Sequence, residues 1–161
     1  MESNKDALTG LPDRTALDQT LKTLVERDES FGLALLDIDH FLGINEAFGH
    51  ASGDGVLRTL ANLLAEYGSE QVYRISGDEF ALVLRGVSLE QAFLRMETLR
   101  GSVQAAVEQF GLPDARTVTI TAGVAQYPRD AKDVRGMWQA AAAALSSAKE
   151  GGRNQVGLPP N

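Results

Sequence analysis

Asp78 and Glu79 stand side by side directly after Ser76-Gly77, within Arg74-Ile75-Ser76-Gly77-Asp78-Glu79-Phe80. Adjacent carboxylates repel each other unless solvent or a cation screens them. Alone the pair fits a solvated turn; with further oxygen ligands nearby it fits a hard cation. A second acidic pair, Asp37 and Asp39, closes the apolar run that starts Phe31-Gly32-Leu33-Ala34-Leu35-Leu36. An extended strand points both to one side. Aspartates ending a buried strand are costly unless partnered or ligating, which favours a functional reading. Asn45 and Asp54 flank a glycine-rich stretch. Together they could read a guanine edge, the carboxylate accepting from N1–H and N2–H and the amide serving N3 or O6. Asp54 reads equally as a helix N-cap and Asn45 as a turn amide. Lys149 and Arg153 fit phosphate clamps, or favourable charges near a helix C-terminus. His40 and His50 lack a second histidine at ligand spacing and are expected to pack in loops.

The elements that must position these groups follow from periodicity. The loop from Asp6 to Arg14 leads into a helix capped by Asp13, with Leu17, Leu21, Leu24 and Val25 on one face. Phe31 to Asp39 is apolar without alternation, as in a central strand covered on both faces. A short helical turn around Ile44 to Phe48 and a glycine-punctuated loop precede a helix carrying Val56, Leu57, Leu60, Leu63 and Leu64. Gln71 to Ile75 and Phe80 to Leu84 read as a β-hairpin with the acidic pair at its tip. Then come a helix from about Ser88 to Phe110, a strand from Thr117 to Ala125, a helix from Val134 to Lys149, and a short strand from Gln155 to Gly157. The centre of this order is βαββαβ: a ferredoxin-like, palm-type α/β fold, its mainly antiparallel sheet flanked by helices. In that topology the first strand lies beside the hairpin, which brings Asp37 to Asp78 and Glu79. The acidic tip becomes half of a cation site.

Composition narrows the chemistry. The 161 residues, 43% hydrophobic and 23% charged, fit one globular domain, 1–161, with 1–5 a flexible start and 158–161 a tail. The absence of cysteine excludes disulfides and thiol chemistry, and with two histidines any metal is expected to be a hard cation held by carboxylates rather than one in a His-rich site. A net charge of -7 argues against nucleic acid or an anionic membrane as partner. A polyphosphate ligand would need magnesium to neutralise it. No apolar run is long enough to span a bilayer and no signal segment opens the chain. The expected location is cytoplasmic, as a domain of a longer sensor protein.

The chain resembles the GGDEF domain, the catalytic domain of diguanylate cyclases, which condense two GTP into cyclic di-GMP and two pyrophosphates. The resemblance covers nearly the whole chain. It rests on Asp6-Ala7-Leu8-Thr9-Gly10-Leu11-Pro12-Asp13-Arg14, Asp37-Ile38-Asp39-His40-Phe41 through Asn45, Gly49-His50 with Gly53-Asp54, Ser76-Gly77-Asp78-Glu79-Phe80, and Lys149 with Gly152-Arg153-Asn154. It implies Mg²⁺ (or Mn²⁺) held by Asp37, Asp78 and the Ile38 carbonyl. Asp78 would be the general base for the ribose 3'-hydroxyl, with Glu79 supporting the metal site. Asn45 and Asp54 would recognise guanine; Phe41, Lys149 and Arg153 would hold phosphates; Ser76 and Gly77 would supply the motif backbone. Each chain would bind one GTP, so a homodimer is needed for catalysis.

Three positions depart from the family pattern. Ser76 replaces the motif's first glycine. Leu42 replaces a usual lysine, whose loss from a transition state costs roughly 10²-fold or more. Tyr67-Gly68-Ser69-Glu70 replaces the Arg-x-x-Asp of an inhibitory product site, which is therefore expected to be absent. The alternative these departures raise is a GTP-binding regulatory module without turnover. A receiver domain fits less well, because the acidic hairpin has no place in it.

Overall fold

The computed structural model describes residues 4–68 and 71–160. Its sheet has the strands β1 (Phe31–Ile38), β2 (Gln71–Ser76), β3 (Glu79–Arg85), β4 (Ile120–Tyr127) and β5 (Val156–Gly157), in the order β2-β3-β1-β4-β5. β1 is central and antiparallel to both β3 and β4, whereas β5 runs parallel to β4. The helices are α1 (Arg14–Glu26), α2 (Phe41–Phe48), α3 (His50–Gly68), α4 (Leu89–Ala105), α5 (Val107–Phe110) and α6 (Val134–Glu150). This is the ferredoxin-like arrangement expected from the element order, with β1 beside the hairpin.

The unbroken apolar run of β1 has its reason in two cores. Ala34, Leu36 and Ile38 face one cluster with Leu60, Leu64 and Met96; Phe31, Leu33 and Leu35 face the other with Leu17, Leu21 and Met137. Truncating such a leucine to alanine costs about 2–5 kcal/mol. Local chemistry starts the helices. Asp13 accepts from the Ala16 amide at 3.1 Å, Ser88 and Gln91 form a capping box, and Asp133 caps α6. The alanines of α6 let it lie close on β4: a Cβ on Gly123 would fall 2.1 Å from the Leu145 nitrogen.

The structure departs from the expected boundaries in several places. The glycine-rich stretch after Phe48 is not a loop: α3 already begins at His50, so Asp54 lies inside the helix and caps nothing. Packing overrides glycine's poor helix propensity here, since Gly53 is buried against Asn45. The helix expected over 88–110 breaks at Ala106, whose ψ of 43° is not helical. β4 starts at Ile120 rather than Thr117 and runs on to Tyr127. Near the start, Lys5 bridges Pro12 and the Asn4 carbonyl accepts from Asp13, so these residues are tied to the fold. Residues 1–3, the rest of the expected flexible start, lie outside the described residues.

Candidate functional site

β1 and β3 run antiparallel with Asp37 opposite Glu79, and the hairpin between β2 and β3 narrows to Gly77-Asp78. Gly77 has φ +50°, a conformation that glycine adopts without cost. Ser76 belongs to β2 and pairs with Glu79, so its Cβ does not strain the turn. Arg74 braces the tip from below. Its Nε and Nη2 donate to the Gly77 carbonyl at 3.0 and 2.6 Å, and its Nη1 donates to Asp6 Oδ2 at 2.9 Å. Asp6 also accepts from the Thr9 hydroxyl and amide. Although burial opposes it, these bonds and the Arg74 charge hold the Asp6 carboxyl below the usual range. The opening loop is thus built onto the hairpin.

Above the tip lies a cleft of about 360 Å³. The β1–α2 connection supplies Asp37, Ile38, Asp39, His40, Phe41 and Leu42; Asn45, Asp78, Lys149 and Arg153 complete the walls. Three separate parts of the chain converge here. Glu79, Asp54, Ser76 and Gly77 are not among the wall residues. His40 and His50 are both exposed, so neither packs in a loop as expected, and His40 faces the cleft instead. A larger cavity of about 520 Å³ lies along α4, walled by Tyr67, Val87, Leu94 and Leu99 among others. It is lined by no acidic residue and is remote from the hairpin tip, so the smaller cleft is the candidate site. Tyr67 is exposed at that cavity; Ser69 and Glu70, also expected to show an absent inhibitory site, lie outside the described residues.

The electrostatics of the cleft centre on Asp37. Its Oδ2 is ion-paired with the Lys149 ammonium, while its Oδ1 is buried without a hydrogen-bond partner among the described residues. Burial first, and the Asp37 charge second, push the Asp78 carboxyl above the ordinary range, with Lys149 partly offsetting them. Glu79 is raised for the same two reasons. An unpartnered buried carboxylate oxygen beside a second crowded carboxylate is a place for a cation. Two carboxylates with the Ile38 carbonyl form an all-oxygen set that suits Mg²⁺ or Mn²⁺. Among the described residues no three acidic or histidine side chains cluster as a cage, so water or phosphate oxygens would supply the remaining positions.

Asn45 Oδ1 is the other buried side-chain atom without a partner among the described residues. It sits where a Cβ on residue 53 would lie, 1.7 Å away, so only glycine there leaves it room. Asp54, the next residue, is exposed on α3. Of the two alternatives for the strand-end aspartates, partnered or ligating, Asp39 takes the first. It is buried and accepts from Thr119, Thr121 and the Asn154 amide. The roles of Arg74 and of this threonine pair escaped the sequence reading, as did the room that Gly53 leaves for Asn45. The period-two spacing of Thr119 and Thr121 was the available signal, since it places both hydroxyls on one face of a strand.

The model of the family described as "Diguanylate cyclase, GGDEF domain" matches residues 3–155. The chain belongs to the GGDEF family. This GGDEF domain is 36% identical to an uncharacterised membrane protein of Staphylococcus saprophyticus, over 99% of this chain and 47% of that protein. It is 35% identical to diguanylate cyclase DgcZ of Escherichia coli, over 96% of this chain and 53% of that protein. In three dimensions it superposes on the GGDEF domain of DgcB from Caulobacter crescentus, solved in complex with c-di-GMP. The TM-score is 0.86 at 29% identity, covering 98% of this chain and 96% of that one. Diguanylate cyclase SiaD of Pseudomonas aeruginosa, solved with its activator SiaC, gives 0.87 at 33% identity, covering 97% and 62%. The chain spans about half the length of the curated relatives it matches, 45% and 47% for two of them. Among the described residues no helix is long and apolar enough to cross a membrane.

Proposed function

We propose that this GGDEF domain is a diguanylate cyclase that condenses two GTP into cyclic di-GMP and two pyrophosphates. The observation that carries the reading is the buried Asp37 Oδ1, without a partner among the described residues, beside the raised Asp78 carboxyl, in a cleft that also presents Lys149 and Arg153. Asp37, Asp78 and the Ile38 carbonyl would hold Mg²⁺ or Mn²⁺, which when bound neutralises triphosphate charge and acidifies the attacking hydroxyl. Asn45 engages guanine from the buried side and Asp54 from the exposed face of α3. Lys149, Arg153 and the Phe41 backbone hold the phosphates. Asp78 accepts the ribose 3'-hydroxyl proton. Glu79, next to it on β3, supports the acidic cluster.

In each step a 3'-oxygen bonds to the α-phosphorus of the partner nucleotide, the α–β anhydride breaks, and pyrophosphate leaves. One cleft holds one GTP, so two chains must face each other as a homodimer for both bonds to form. The domain would work on the cytoplasmic side as part of a longer protein. Incubation with GTP and Mg²⁺ at high protein concentration tests the reading by the appearance of cyclic di-GMP. A folded protein that yields none would sink it.

Leu42 favours a second reading. It is 70% exposed at the cleft, and its side chain brings no charge to a phosphate. A GTP-binding regulatory module would bind nucleotide and release no pyrophosphate, which the same incubation distinguishes.

A further inference from the structure

Asp39 stands in the cleft wall two residues from Asp37, yet its carboxylate is engaged by the protein itself. Oδ1 accepts from the Thr121 hydroxyl at 2.5 Å, and Oδ2 accepts from the Thr119 hydroxyl at 2.8 Å and the Asn154 amide at 3.0 Å. The Thr121 hydroxyl oxygen also receives that amide, at 2.9 Å. A single backbone N–H is thus gripped twice. It belongs to a turn that local preferences oppose: Arg153 and Asn154 are consecutive non-glycine residues with φ +64° and +47°. The Arg153 side chain disfavours this left-handed backbone, which asparagine adopts more readily. On its other side the turn is held by Arg100 of α4, which donates to Asn154 Oδ1 at 2.9 Å. Arg153 is the residue of this turn that lines the cleft.

We propose that Asp39 is a positioning residue: through the Asn154 amide it holds the left-handed turn that presents Arg153 to the triphosphate. The proposal rests on reading the cleft as a nucleotide site. Lys149 belongs to the last turn of α6, before this turn, and does not depend on the clamp. Asp39→Asn keeps the volume but replaces a carboxylate oxygen with an amide donor, which cannot accept from both threonine hydroxyls and the amide.

Asp39→Asn, Arg153→Ala and the double variant are compared with the parent in three measurements. These are binding of α,β-methylene GTP with Mg²⁺, binding of Mn²⁺ alone, and amide exchange across residues 151–154. Asp39→Asn is expected to weaken analogue binding by ~10-fold, to leave Mn²⁺ binding unchanged, and to speed exchange at Asn154. On the Arg153→Ala background it should cost no further analogue affinity. Additive losses, weakened Mn²⁺ binding, or unchanged exchange at Asn154 would overturn the proposal. Thr121→Val, which removes one hydroxyl from the clamp, replaces Asp39→Asn if that variant fails to fold; faster Asn154 exchange supports the proposal and unchanged exchange refutes it. A parent that binds no analogue refutes the nucleotide reading, and the proposal with it, even where the exchange data show that Asp39 holds the turn.

Discussion

The Lys149 ammonium, in the last turn of α6, is ion-paired with Asp37 Oδ2, while Asp37 Oδ1 remains buried without a partner among the described residues. One lysine therefore holds half of the candidate cation site. A cation and the ammonium compete for the same carboxylate, and triphosphate offers the lysine an alternative partner.

Replacing that lysine should separate the two roles. Lys149→Met is expected to bind Mn²⁺ without nucleotide up to ~5-fold more tightly, the scale of a partly exposed ion pair. Binding of a GTP analogue should weaken by ~10-fold. Mn²⁺ paramagnetic resonance reads the first and calorimetry the second. Weaker Mn²⁺ binding in the variant would rule out the competition.

Asp78 links activity to pH and stability. Its carboxyl is raised, chiefly by burial and then by Asp37, above the ordinary value that the unfolded chain retains. Between those two values the folded chain holds more protons than the unfolded chain, so this contribution makes stability fall as pH rises through that window. Glu79 acts in the same direction. Asp78→Asn should raise the melting temperature of the metal-free protein at neutral pH. Solvent screening keeps the gain within ~1 kcal/mol, roughly 2–4 °C for a domain of this size. Turnover should drop by at least ~10²-fold. A melting temperature that falls at neutral pH would contradict the electrostatic argument.

Gly53 is the test of Asn45. A Cβ there would lie 1.7 Å from Asn45 Oδ1, so Gly53→Ala must expel the amide from its place. GTP analogue affinity is expected to fall by ~10-fold or more, with preference over the ATP analogue reduced. Asn45→Ala should match it, and the double variant should lose little more. Unchanged guanine preference would remove Asn45 from recognition.

Leu42→Lys places a cation at an exposed position of the cleft, where it has room without repacking. A gain in kcat of ~10²-fold, with the melting temperature unchanged, is the expected outcome. No gain would mean that Lys149 and Arg153 already supply the phosphate contacts the reaction needs.

The sequence alone determined the frame. The apolar run of Phe31 to Ile38, the hairpin around Gly77-Asp78 and the cap at Asp13 were legible because each depends on neighbours a few residues away. The meeting of Asp37 with Asp78 followed from strand order. Helix boundaries near Gly49 and Ala106 were not legible, since packing outweighs the local preference of glycine and alanine there. Tertiary structure alone decided what Asp39 does. Its partners Thr119, Thr121 and Asn154 lie 80, 82 and 115 residues further along the chain. Tertiary structure also decided that Lys149 faces Asp37 across 112 residues, and that Asn45 has space only because residue 53 lacks a side chain. Residue types state what a group can bond to; only the folded backbone brings a partner within the roughly 3 Å at which a hydrogen bond forms.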